Sequence, residues 1–185
     1  MSMNLETRVV EKKGLKAVDV AIVAVLLAVG AVLRIFCPPL VVGITPNFVI
    51  GMYCLAILLL RPKLPAVIGI GLVAAAVCQL TTKSAIPFLN FVSEPLGAIA
   101  VYLLAFINVD FGVVKYIRVF IISFLGTAVS GFTYAGIMVQ VLTASGKNAP
   151  AFAALSVVVL VTALFNAILA SILYVPLKTA LSKNR

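Results

Sequence analysis

Long runs of apolar residues are the feature that most constrains how this chain can fold. Six such runs follow one another, separated by short polar or proline-containing stretches. A helix needs about 17 to 25 mostly apolar residues to cross the hydrocarbon core of a bilayer. The runs predict spans at about 17–36, 45–60, 64–80, 93–107, 116–143 and 151–177. We therefore expect an all-α, six-transmembrane-helix bundle in one integral membrane domain, 1–185, in which 1–16 is a polar and basic N-terminal segment.

Prolines and turn residues indicate where the spans begin and end. Pro38 and Pro39 end the first span, and Pro65 falls in the first turn of the third, where proline is tolerated. We expect the fourth helix to begin with Ser93 as its N-cap and Pro95 in its first turn. The second and fourth spans are short, as expected for helices that begin or end beside a cavity.

Composition excludes most other classes of protein. The chain is 64% hydrophobic and 10% charged, with a mean hydropathy of +1.26, far outside the range of soluble domains. The net charge of +9 would suit nucleic-acid binding, but the basic residues stand at span ends rather than on one helix face. Histidine is absent, and the sequence has no nucleotide loop, metal-ligand cluster or nucleophile-histidine pair. We expect no enzyme activity, no catalytic residue, no metal site and no cofactor in this chain.

The distribution of basic residues predicts the orientation in the membrane. With six spans, eleven of the fourteen lysine and arginine residues fall on the side of the two termini, and the other side has Arg34, Lys83 and Lys147. Cytoplasmic segments carry the excess of positive charge. Both termini are therefore expected to be cytoplasmic.

Polar residues that are unusual inside spans collect in the half that this orientation places outside. Seven of them are predicted to bind substrate: Asn47, Gln79, Lys83, Asn90, Glu94, Tyr134 and Asn166. Buried amides and carboxylates need partners, so such a cluster implies mutual pairing, water or a polar ligand. Much of it falls in 81–97, a polar stretch with two prolines between two apolar runs. Ionisable residues at membrane depth are functional candidates by default.

Each of these residues also has a purely structural explanation. Asn47 can close the turn after Pro46, and Gln79 can mark the membrane interface. Lys83 and Glu94 can form an ion pair that holds the loop in place. Asn166, deep in an apolar run, is satisfied by a hydrogen bond to another helix. Six aromatic residues nearby can stack on a flat ligand, although packing is the commoner role at such spacing: Phe88, Phe91, Phe132, Tyr134, Phe152 and Phe165.

Small residues recur at four-residue spacing along the first span. They are Ala17, Ala21, Ala24, Ala28 and Ala31, with Gly30 before the last. Small side chains let another helix approach closely. The face serves either packing within the bundle or docking of another membrane protein. Gly126, Ser130, Gly131 and Gly136 in the fifth span are assigned to internal packing.

The whole pattern resembles the substrate-binding S component of an energy-coupling factor (ECF) transporter. The likeness lies in the basic N-terminus, the six spans and the first-span sequence AVLLAVGA from Ala24 to Ala31. Within that family, 34–63 and the segment TTKSAIPFLN look most like the tryptophan-transporter type. Prolines after the first helix, a Pro-Asn start to the second and an Ile-Pro…Asn segment before the fourth carry this likeness.

The resemblance implies uptake of a small molecule, tryptophan or a related amino acid or vitamin-like metabolite, at a prokaryotic cell membrane. The alanine face (Ala21, Ala24, Ala28 and Ala31) would dock on a transmembrane coupling subunit, and two ATPase subunits would hydrolyse ATP. For an amino acid, Glu94 would meet the ammonium, and Lys83, Asn47 or Asn90 the carboxylate. Two other functions stay open, a stand-alone small transporter or channel and a membrane-embedded assembly factor.

Overall fold

The structure, a computed structural model, is all-helical over the residues that it describes, which are 15–38, 45–82, 84–107 and 112–183. The helices are α1 (Ala17–Phe36), α2 (Phe48–Leu60), α3 (Leu64–Thr81), α4 (Asn90–Leu104), α5 (Val114–Ala144) and α6 (Phe152–Lys183), with a 3-10 turn (Pro87–Leu89) before α4. The prediction of an all-α bundle of six helices is confirmed. By length and composition, α1, α3, α5, α6 and the segment Pro87–Leu104 can each cross a membrane.

The shortest helix, α2, is the axis of the bundle. All residues from Val49 to Leu58 are buried, and α2 packs against each of the other five helices. Its 13 residues span about 20 Å, less than the roughly 30 Å of a hydrocarbon core. One end of α2 therefore lies within the depth of the membrane, and the space beyond that end is available for a cavity.

By contrast, α1 lies at the periphery and packs, within the described residues, against α2 and α3 only. Its inward face includes Gly30, where a Cβ atom would lie 2.8 Å from the Cα atom of Val49. Its outward face carries Ala21, Ala24 and Ala28, all exposed, while Ala31 is half-buried. Packing inside the bundle, one of the two roles considered for these alanines, therefore does not account for the exposed three.

The start of α4 differs from the prediction. The helix begins at Asn90 rather than after Ser93, because the 3-10 turn that starts at Pro87 leads directly into it. Pro95 therefore lies inside α4, and Ser93 is fully buried rather than capping the helix. The other end comes at Leu104, before the predicted 107, and Arg118 donates hydrogen bonds to two carbonyls of the turn that follows.

The remaining helix ends lie near the predicted ones. The predicted and observed bounds of α1 agree, and those of α3 differ by one residue. The second helix begins at Phe48, with Asn47 at the N-cap position, rather than at 45. The sixth helix is the exception: α6 continues to Lys183, beyond the end of the apolar run at 177, and its last turns are largely polar.

Candidate functional site

A cavity of about 410 Å³ opens at the end of the bundle opposite the start of α1. It lies beyond the N-terminal end of α2 and between the other helices. One wall is polar and is formed by Arg34, Asn47, Asn90, Glu94, Ser130 and Tyr134. A second set of lining residues, on α5 and α6, forms the apolar wall: Ala135, Met138, Leu142, Leu155, Val158 and Val159. Thr162 of α6 and Lys147 and Asn148 of the α5–α6 turn also line the cavity. A cavity of this size and polarity fits a small amphipathic molecule.

Glu94 is the buried carboxylate of the polar wall. Its side chain is 1% exposed. The Nδ2 atom of Asn47 donates a hydrogen bond of 2.8 Å to Oε1, and the hydroxyl of Ser130 donates one of 2.9 Å to Oε2. These bonds fix the carboxylate between the start of α2 and α5.

Asn166 supports this arrangement from behind. It is fully buried and does not line the cavity. Its Nδ2 atom donates a 2.9 Å hydrogen bond to the backbone carbonyl of Asn47, which joins α6 to the start of α2. Gly51 makes room for it, since a Cβ atom there would lie 2.7 Å from Oδ1 of Asn166. Asn166 is therefore a positioning residue, and it has the bond to another helix that its sequence position required.

Tyr134 and Asn90 hold the segment between α3 and α4 against the cavity. The Tyr134 hydroxyl donates to the carbonyl of Ile86 at 3.0 Å and is also hydrogen-bonded to the hydroxyl of Ser84. The Nδ2 atom of Asn90 donates to the carbonyl of Pro87 at 2.6 Å. Both side chains line the cavity while their polar groups order the polypeptide that borders it.

Arg34 was not among the predicted site residues. It belongs to the last turn of α1, is 7% exposed and lines the cavity. Its Nε and Nη1 atoms are buried and have no hydrogen-bond partner among the described residues. From the sequence, it is one of three basic residues that the six-span topology places on the side opposite the termini, which predicts orientation but not a binding role.

Apart from Asn166, the predicted site residues fall into three groups: those that line the cavity, one that does not, and one outside the described residues. Asn47, Asn90, Glu94 and Tyr134 meet at the cavity. Gln79 is half-buried and does not line it, and Lys83 lies outside the described residues, so its pairing with Glu94 stays untested. Ser130, assigned from the sequence to internal packing, is buried and also lines the cavity, where it donates a hydrogen bond to Glu94.

The phenylalanines do not form an aromatic wall. Phe88, Phe91, Phe152 and Phe165 are between 40% and 71% exposed on the outside of the bundle, as lipid-facing residues would be. Among the described residues that line the cavity, Tyr134 is the one aromatic side chain. The apolar wall is instead built from aliphatic residues and Met138.

Residues 16–182 match the model of the family described as "Tryptophan transporter TrpP". The chain belongs to the tryptophan transporter TrpP family. A curated relative, the "Probable tryptophan transport protein" of Bacillus subtilis (strain 168), is 29% identical over 176 residues, which cover 92% of this chain and 96% of the relative. No solved structure matches the chain.

Family membership confirms the resemblance to the tryptophan-transporter type. This TrpP-family protein is a multi-pass membrane transport protein and not an enzyme. In the described part of the chain, no group of histidine, cysteine or acidic residues is arranged to hold a metal ion.

Proposed function

We propose that this TrpP-family protein binds L-tryptophan in the cavity between its polar and apolar walls. The observation that carries the proposal is the Glu94 carboxylate, buried and held by Asn47 and Ser130 in a cavity that α5 and α6 line largely with apolar residues. A buried carboxylate is costly unless a charged partner joins it. The ammonium group of an amino acid is such a partner, and an indole ring fits the wall formed by α5 and α6.

The absence of tryptophan from the chain makes this proposal directly testable. Indole fluorescence in a purified sample comes from the ligand. We expect a saturable, blue-shifted and high-anisotropy signal when L-tryptophan is added to the protein in detergent, and not when it is added to empty micelles. A titration without a saturable signal contradicts tryptophan binding.

We further propose that the protein is the S component of an ECF transporter, as the sequence resemblance implies. The exposed face of α1 supports this, because Ala21, Ala24 and Ala28 have no neighbour there within the described residues and small residues allow close helix packing. A transmembrane coupling subunit would dock on this face, and two ATPase subunits would supply energy from ATP. Co-purification of both partners, with uptake that requires ATP hydrolysis, is the expected result.

A stand-alone transporter predicts a different outcome. Vesicles that contain this chain alone would then accumulate tryptophan without any ATPase, and an assembly factor would instead co-purify with a membrane protein that is neither ATPase nor coupling subunit. Either result would replace the S-component proposal and leave the binding proposal intact.

The proposed orientation places both termini in the cytoplasm and opens the cavity to the outside. Lys147 is exposed on the α5–α6 turn at the cavity. In a Cys37→Ala background, a cysteine introduced as Lys147→Cys should react with a membrane-impermeant maleimide added to intact cells. Labelling only after the membrane is opened would show that the cavity faces the cytoplasm and that the proposed orientation is wrong.

A further inference from the structure

We infer that Arg34 and the N-terminal turn of α2 together bind the carboxylate of the substrate. The inference rests on the proposed binding of an amino acid in the cavity and deepens it, by assigning the group that recognises the acid end of the ligand. Two independent observations support it, one on the side chain of Arg34 and one on the start of α2.

The first observation is the unsatisfied guanidinium of Arg34. The side chain is 7% exposed and lines the cavity, and in the part of the chain that the structure describes its Nε and Nη1 atoms have no hydrogen-bond partner. A buried donor without an acceptor costs free energy, and a buried charge without a partner costs more. The guanidinium presents its donors in a planar fork that matches a carboxylate. An anionic ligand group in the cavity would supply the acceptor that the residues from 15–38, 45–82, 84–107 and 112–183 do not.

The second observation is the uncapped start of α2. Asn47 occupies the N-cap position, but its side chain makes no capping hydrogen bond and instead donates to Glu94. The first amide N–H groups of a helix point outward and carry a partial positive charge, which attracts anions. Thr45, Asn47 and Ile50 all line the cavity, so this turn faces the ligand space. The same residue therefore fixes Glu94 and leaves the helix terminus without a side-chain cap.

The positions of the two charges fit an amino-acid zwitterion. Arg34 and Glu94 line the same cavity, and both Glu94 oxygens accept hydrogen bonds from the neutral groups of Asn47 and Ser130. An α-amino acid carries its ammonium and carboxylate on neighbouring carbons. Its ammonium can bind Glu94 while its carboxylate binds Arg34 and α2, so that one ligand satisfies both buried charges.

The test compares L-tryptophan with L-tryptophanamide, which keeps the indole and the ammonium but has no carboxylate. In wild-type protein, L-tryptophan should bind more tightly than the amide. In the Arg34→Gln variant, L-tryptophan affinity should fall by roughly 30-fold or more, since one partner of a buried charge pair is lost. The affinity for the amide should stay within about threefold of wild type, because no carboxylate contact is removed. Lys63→Gln, which removes an exposed cation from the N-cap of α3, is the matched control and should change neither affinity.

The possible results separate this inference from the proposed function. Equal losses for both ligands in Arg34→Gln would show a structural role for Arg34 and overturn the inference, as would unchanged affinity for L-tryptophan. If wild-type protein binds no L-tryptophan, the proposed function fails and the carboxylate subsite with it. Should Arg34→Gln not fold, Arg34→Lys replaces it. The preference for L-tryptophan over the amide should then shrink, because lysine lacks the planar fork, and an unchanged preference overturns the inference.

Discussion

The neighbouring helices α1 and α2 are both apolar, but the bundle uses them in opposite ways. The longer helix, α1, has 20 residues and leaves an alanine-lined face uncovered. The shorter, α2, has 13 residues and is surrounded by all five other helices. Length decides the difference, because a helix too short to cross the membrane must end inside it. Polar side chains of the protein gather around the start of α2, whereas the alanine-lined face of α1 is exposed.

This contrast separates the two functions proposed for this protein, which are ligand binding and docking of a partner subunit. The start of α2 positions Glu94 through Asn47, whereas the outward face of α1 carries the exposed Ala21, Ala24 and Ala28. Arg34, in the last turn of α1, is the part of this helix that lines the cavity. Substitutions at the start of α2 or at Arg34 should therefore change ligand binding, and substitutions on the alanine face of α1 should change transport only.

The largest effect on binding is expected from Glu94→Gln. This substitution keeps the size of the side chain but removes the charge that faces the ammonium of the ligand. L-Tryptophan affinity, measured by ligand fluorescence, should fall by roughly 30-fold or more. Indole-3-propionate, which has a carboxylate but no ammonium, should not lose affinity. Unchanged L-tryptophan affinity would show that Glu94 does not bind the ammonium of the ligand.

On α1, Ala24→Leu should affect transport rather than binding. A larger side chain on the outer face prevents close approach of a partner helix, and overpacking of this kind costs enough to lower uptake by about tenfold. L-Tryptophan binding by the purified protein should be unchanged. Ala76→Leu on α3, also at an exposed alanine, is the control and should leave uptake near wild type. An equal loss of binding in Ala24→Leu would mean that α1 supports the cavity and is not a docking face.

The sequence predicts the helices better than the site. Apolar run length locates α1 to the residue, because Pro38 and the preceding basic segment bound it on both sides. It does not locate the start of α4, because a proline in a first turn and a proline inside a helix look alike in the sequence. Pro87, which begins the 3-10 turn, rather than Pro95, marks that start.

Polar residues in apolar runs identify part of the site, but not how it is assembled. Asn47, Asn90, Glu94 and Tyr134 are brought to one cavity, as their placement on one side of the membrane suggests. Asn166 contacts Asn47 across 119 positions of sequence, a pairing that no local pattern contains. Arg34 is one of the basic residues that predict orientation. Its position inside the first span, on the side with few cations, is the feature of the sequence that could have indicated the binding role inferred for it.

The smallest effect is expected from Gly51→Ala, which tests how tightly α2 is enclosed. The added Cβ would lie 2.7 Å from Oδ1 of Asn166, a side chain that is fully buried and bonded to the Asn47 carbonyl. Relief of this contact moves Asn166 and weakens its bond to Asn47, at a cost of about 1–3 kcal/mol. The variant should unfold at lower temperature in detergent and bind L-tryptophan a few-fold more weakly. Gly69→Ala on α3, where no atom lies within 4 Å of the added Cβ, should be as stable as wild type or more so, because alanine favours the helix. If the two variants are equally stable, α2 is not enclosed more tightly than the outer helices. The difference in packing between α2 and α1 would then be contradicted.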